Sequence, residues 1–154
     1  MIKRCYDKCD TAQLQKIVGH LTLPMFGIDP HIMQSAQSLH SDPIRFTGIV
    51  LRLKGMSLSF FVVYLWHGEQ LSTRKLNILK QLAFVIKLLA MPFYVWGDFN
   101  MAPGVFADSG FLSWTTSTLK LPDTISTSKG SGVIDYAVHS VSLAPLLPPL
   151  EEIS

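Results

Sequence analysis

Asp98 and Asn100 stand two residues apart in the run Gly97-Asp98-Phe99-Asn100, directly after the apolar segment Phe93-Tyr94-Val95-Trp96. In extended backbone, positions i and i+2 face the same side, so the two polar side chains can converge on one reacting group. A carboxylate accepts a proton from water, and a carboxamide donates hydrogen bonds to a developing oxyanion. The alternative is a turn in which Asp-x-Asn satisfies its own backbone. On the four residues alone, both stay open.

The elements around this run place it where chemistry usually sits. Thr47 to Leu53 and Leu58 to Leu65 are β-branched and aromatic runs separated by Lys54-Gly55-Met56-Ser57, which predicts an antiparallel hairpin. The second run is apolar on nearly both faces, the pattern of a covered central strand. Ser72 or Thr73 then caps a helix to about Ala90, with Leu76, Leu79, Ala83 and Ile86 as its core stripe. Asn77, Lys80, Gln81 and Lys87 lie opposite, with Phe84 and Leu88 intruding on that polar side. Pro92 stops the helix and Phe93 to Trp96 resumes as a strand. Strand, helix, strand implies a right-handed parallel crossover, and the Asp98 run falls at the end of its second strand, the usual ligand side of an α/β sheet.

Elsewhere the pattern is weaker. Asp10 opens a short helix with Gln13 in a capping-box position and Leu14, Ile17, Val18 and Leu21 on one stripe. Residues 25–44 show no clean period and read as loop with at most one short turn. A short helical piece spans Pro103 to Asp108, a Ser/Thr-rich stretch runs from Ser113 to Ser131, and a last strand runs from Val133 to Val141. Ala144 to Ser154 reads as a proline-rich, acidic tail.

The chain has 154 residues, 48% hydrophobic and 16% charged, against about 25% charged in an average soluble domain. That is one domain's length and excludes a disordered chain, which lacks the apolar surface to offset its entropy. Formal charge is +2, too small an excess to name a nucleic-acid partner by itself. A mean hydropathy of +0.31 suggests surface that wants covering. The most apolar stretch, Leu76 to Val95, carries Asn77, Lys80, Gln81, Lys87 and Pro92, whereas a bilayer span needs roughly 20 nearly uncharged residues. No membrane association is expected. The first ten residues resemble no signal peptide, so the expectation is an intracellular, reducing compartment with free thiols.

Tyr64 at a strand end, Gly97-Asp98-Phe99-Asn100 after the next strand and Gly132-Val133-Ile134-Asp135-Tyr136 at a third occur in the order of the endonuclease/exonuclease/phosphatase superfamily. The chain resembles that family, which includes pancreatic deoxyribonuclease, apurinic-site endonucleases and non-LTR retroelement endonucleases. The last of these is the best match. The resemblance implies an α/β, deoxyribonuclease-like sandwich of two sheets flanked by helices, and divalent-metal (Mg²⁺) hydrolysis of a phosphoester. It makes nucleic acid, DNA in particular, a partner class. By this resemblance Asp98 activates or orients the attacking water, and Asn100 helps hold the scissile phosphate. Asp135 orients a catalytic histidine, as the buried carboxylate of a hydrolytic triad does. Tyr64 approaches the phosphate, although the proline the family carries after it is missing where His67-Gly68 stand.

The match runs over about residues 45–143. Residues 1–44 form an unmatched segment and 144–154 the tail. The family's metal-binding glutamate precedes this region, yet residues 1–44 contain no Glu. Its closing Ser-Asp-His is also absent. His139 follows Asp135 by four positions, on the same side but across about 13 Å of strand, too far to be its partner. His67 and Glu69 could replace missing groups, but as loop residues they fit solvated surface better. Cys5, Cys9 and His20 fall short of the four ligands of a structural zinc. Trp66, Trp96 and Trp114 fit a core better than a base-stacking platform. The expectation is a domain incomplete at both ends, supplying one sheet well and the other poorly. It should be nearly inactive as a hydrolase and prone to self-association through uncovered apolar surface. The rivals are a non-catalytic interaction module that keeps the fold, and a hydrolase completed by another chain.

Overall fold

The computed structural model describes residues 25–122 and 132–147. The two β-branched runs form the expected hairpin: β2 (Phe46–Leu53) and β3 (Met56–Tyr64) pair antiparallel. Their turn needs Gly55, whose φ of 88° lies in the left-handed region that side chains disfavour. After β3, the Ser72 side chain accepts a hydrogen bond from Lys75 N at 3.3 Å and caps α2 (Thr73–Leu89). That helix ends on Ala90 in a left-handed conformation, two residues before Pro92. β4 (Phe93–Asp98) then lies parallel to β3.

These elements build one six-stranded sheet in the order β1-β2-β3-β4-β6-β5. β1 (Met25–Gly27) pairs antiparallel with β2, and β6 (Asp135–Ser140) pairs antiparallel with both β4 and β5 (Ser117–Lys120). The helices are α1 (Pro30–Ser38), α2, α3 (Pro103–Asp108) and α4 (Phe111–Thr115), with a 3-10 turn at Val141–Leu146. The fold class is α/β, as the sequence indicates. Alternation divides the sheet between two apolar clusters. Phe61, Val63, Val95 and Val138 pack with Ile78, Leu79, Leu82 and Val85 of α2 in the main core. The opposite face gathers Ile49, Leu51 and Val62 with Leu58 and Phe60, with no helix residue among them. On that second face Phe60 stacks on Tyr94 at 5.7 Å, and Tyr94 on His139 at 6.2 Å.

Several expectations change. Residues 25–44 hold a strand and a nine-residue helix instead of loop. Asp29 accepts from His31 N to cap α1, Pro30 sits at its first turn, and Gln37 ties it to Asp42 and Ile44. Capping replaces the missing period, since Ala36 is the helix's one buried residue. The Ser/Thr-rich stretch contains α4 and β5. Leu76 is half-buried, while Ile78, Leu82 and Val85 widen the buried face of α2, and Gln81 is buried rather than polar-facing. Trp96 is no core residue: it is 37% exposed on the second face. Trp66 and Trp114 are half-buried against the main core. The helix at Asp10, the Cys5, Cys9 and His20 set, and most of the tail lie outside the described residues. No helix among the described residues is long and apolar enough to cross a membrane.

Candidate functional site

Three of the residues singled out by the sequence lie side by side at one end of the sheet. Tyr64 is the parallel-strand partner of Asp98, and Asp98 is the antiparallel partner of Asp135. Directly paired residues point to the same face of a sheet, so the tyrosine and both carboxylates form a row across β3, β4 and β6. Gly97 makes the arrangement possible. A Cβ there would lie 2.1 Å from the Val63 carbonyl oxygen.

Asn100 does not continue the extended backbone of β4. Its φ is 50°, so the chain leaves strand geometry and turns. The turn forms because the Asp98 carboxylate accepts the Asn100 backbone N–H at 3.1 Å, the local Asx bond. The motif is therefore a self-satisfying turn, the second of the two alternatives, and the Asn100 side chain is directed to Leu65 O and His67. Asn100 Nδ2 donates to Leu65 O at 2.8 Å, and Phe99 N to Ile134 O at 3.0 Å. Beneath the turn Phe99 stacks on Tyr136 at 4.4 Å and meets Phe106 edge-on. Burial, and then the Asp98 charge, push the Tyr136 hydroxyl above the usual tyrosine range.

Two residues add to this set. His67 is exposed, but its Nδ1 lies 3.1 Å from Asn100 Oδ1. Because that oxygen only accepts, Nδ1 carries the hydrogen and Nε2 is left as the acceptor of the neutral ring. His67 and Asn100 line a cleft of about 510 Å³ with Glu69, Pro103 and Val133. Asp135 lines a separate, smaller depression of about 150 Å³ with Trp96 and Lys120. His139 stacks on Tyr94 and sits beside that tyrosine in the β4–β6 register, four positions from Asp135.

Lys75 had no place among the sequence's candidates. It is fully buried and donates through Nζ to Asn100 O at 2.7 Å, with Phe99 O at 3.4 Å and the Glu69 carbonyl as further acceptors. It thus ties the Asp98 turn to the loop after β3. Burial lowers its pKa, opposed by Glu69 and Asp98. The signal was present: Lys75 precedes Ile78 and Leu79 by three and four positions, on the apolar side of α2.

Among the described residues no three His, Cys, Asp or Glu side chains group as metal ligands. Asp98 and Asp135 are two carboxylates without a third ligand, which does not make a resident Mg²⁺ site, since this ion needs well-placed oxygens or a phosphate already bound.

No family model matches the chain, and no curated protein matches it by sequence. Solved structures do match. The endonuclease domain of TRAS1, a telomere-specific non-LTR retrotransposon, superposes with a TM-score of 0.59 at 11% identity, over 85% of this chain and 61% of that one. A mannosyl-6-phosphatase from Bacteroides thetaiotaomicron gives 0.49 at 16% identity, over 63% and 43% of the two chains. A Staphylococcus aureus beta toxin with bound magnesium ions gives 0.46 at 16%, over 64% and 42%. The last two carry no weight in the assignment at those scores. The chain therefore shares the α/β, deoxyribonuclease-like fold of the TRAS1 endonuclease domain, and it spans less than two thirds of each of these structures.

Proposed function

We propose that the chain is a partial phosphoester-hydrolase domain of endonuclease type, nearest in kind to retroelement endonucleases, with nucleic acid as its ligand class and hydrolysis at or near background by itself. The observation that supports this most is the Tyr64, Asp98, Asp135 row, with the Asx turn that links Asp98 to Asn100 at its end. Residues 45–143 carry this unit. Asp98 accepts a proton from an attacking water. Asn100 offers its second Nδ2 hydrogen to a phosphoryl oxygen, the first being committed to Leu65 O. In the complete family reaction Mg²⁺ helps the leaving group depart. Among the described residues no group of three His, Cys, Asp or Glu side chains forms a site for it. Losing one transition-state donor costs about 10²–10³ in rate, and losses within one catalytic unit do not simply multiply.

The test is cleavage of abasic and supercoiled DNA with Mg²⁺ or Mn²⁺, comparing the native sequence with Asp98→Ala and Asn100→Ala. Background turnover in all three is expected. Turnover that both substitutions abolish would overturn the near-inactive reading and turn attention to His67, already in contact with Asn100.

A further inference from the structure

Two guanidinium groups converge on one indole beside this site. Arg45 Cζ lies 4.5 Å from the Trp66 ring centroid and 5.1 Å from that of Tyr64, while Arg74 Cζ lies 4.4 Å from Trp66. Like charges on one ring repel, so the fold must hold them there. Arg45 is held by donating Nε to Tyr64 O at 3.0 Å. Arg74 is held by the Glu69 carboxylate, which accepts from both its Nε and one terminal nitrogen. Glu69 neutralises Arg74 alone, and among the described residues no carboxylate pairs with Arg45. The cluster keeps one positive charge in excess, on the Arg45 that sits over Tyr64, the strand partner of Asp98.

We propose that Arg45, seated on Tyr64 and Trp66, is a contact for a backbone phosphate of nucleic acid lying against the Asp98 end of the sheet. Identifying the ligand as nucleic acid rests on the endonuclease-type reading above; the geometry stands apart from it. A planar guanidinium with both terminal nitrogens available matches two phosphoryl oxygens, and stacking on two rings fixes its plane in advance. Guanidinium groups already cover the indole, so Trp66 orients the arginine and is not a surface for bases. The contact is therefore indifferent to sequence and sensitive to salt.

The experiment is fluorescence anisotropy of the full chain with a labelled DNA duplex and the matching single strand, titrated over a salt series without divalent metal. Arg45→Ala should weaken duplex binding about three- to tenfold and reduce the slope of log K against log salt by about 1, the signature of one lost phosphate contact. Trp66→Leu, which leaves the charge unchanged, should weaken binding in the same direction. Arg52→Ala, at the hairpin end of β2, should change neither quantity. Circular dichroism melts establish that each variant is folded, and if Trp66→Leu is not, Arg45→Lys tests the fork instead, keeping the salt slope while losing affinity. Absence of duplex binding at low salt would overturn the proposal, as would an equal effect of Arg52→Ala or wild-type affinity in Arg45→Ala. Competition by inorganic phosphate as effective, per phosphate, as by duplex would assign the arginine to a small anion and overturn the nucleic-acid contact. These results are separate from turnover: binding without cleavage upholds both proposals, cleavage abolished by Asp98→Ala overturns the near-inactive reading alone, and duplex binding that Arg45→Ala leaves unchanged removes this one alone.

Discussion

The ammonium of Lys75, fully buried, donates to the backbone carbonyl of Asn100 at 2.7 Å. The group that locks the Asp98–Asn100 turn in place is thus a cation from the neighbouring helix, not a member of the turn. Lys75→Met keeps the stem's volume but leaves the Glu69 and Asn100 carbonyls without their donor. Unpaired buried acceptors cost about 1–3 kcal/mol each, partly offset by no longer desolvating an ammonium. A net loss of about 2 kcal/mol in urea unfolding at neutral pH is expected. A variant as stable as the parent would show that the lysine is tolerated there and does not act as a tie.

The same residue sets a pH dependence. Its folded pKa lies below the ordinary lysine value of 10.5 because burial penalises the charge. Between the lowered folded value and 10.5 the unfolded chain binds the proton and the native chain does not, so this group's contribution to stability rises with pH across that window. The stability difference between parent and Lys75→Met should grow as pH approaches 10.5 from neutrality. A difference that shrinks would reverse the sign and contradict the desolvated state of Lys75.

Asn100 combines backbone and side-chain demands that two substitutions separate. Asn100→Gly tolerates the φ of 50° but loses the Nδ2 bond to buried Leu65 O, at about 1–3 kcal/mol. Asn100→Ala loses the same bond and adds left-handed strain of about 1 kcal/mol. Alanine should therefore be the worse of the two in denaturant midpoint. Equal stability would mean that the turn relaxes out of its left-handed conformation.

Gly97→Ala should be among the most damaging single changes. The new Cβ would fall 2.1 Å from Val63 O and 2.6 Å from Val63 Cγ1. Relief requires moving β4 off β3, and a loss above about 3 kcal/mol or failure to fold is expected. Gly104→Ala is the contrast. Nothing lies within 4 Å of its Cβ and it sits in α3, so alanine should be neutral or gain up to about 1 kcal/mol.

Mg²⁺ should bind no tighter than about millimolar, because two carboxylates cannot replace enough of its water. Isothermal titration at neutral pH is the measurement. Micromolar affinity that Asp98→Ala removes would show that Asp98 belongs to a ligand set richer than the two carboxylates of the row.

Trp96 projects from the second face, 37% exposed, between Val62 of β3 and Ala137 of β6. If that face drives self-association, as we propose, Trp96→Lys should shift sedimentation toward monomer and reduce hydrophobic-dye binding. A parent that is already monomeric and dye-silent would count against self-association.

The local elements nearest the site were legible because their causes are local. The hairpin follows from two apolar runs with a glycine between them, α2 from the Ser72 cap and a helical stripe ended before Pro92, and β4 from the apolar run that precedes Asp98. Each depends on neighbours within a few positions. The motif order Tyr64, Asp98, Asn100, Asp135 was also readable, because its spacing reflects strand ends. By contrast, only the tertiary structure could decide what meets what at those ends. His67 and Asn100 are 33 residues apart in sequence, and Lys75 and Asn100 are 25 apart. No pattern along the chain states that a loop histidine contacts the carboxamide, or that a helical lysine is buried beneath it. Trp96 looked like core because aromatic type predicts burial only on average, whereas sheet alternation and the face it occupies decide the particular case. Asp98 and Asn100 are linked through a turn with positive φ that one carboxylate–amide bond stabilises. That preference is too small to be read from residue types until β4 and β6 hold the turn's two sides.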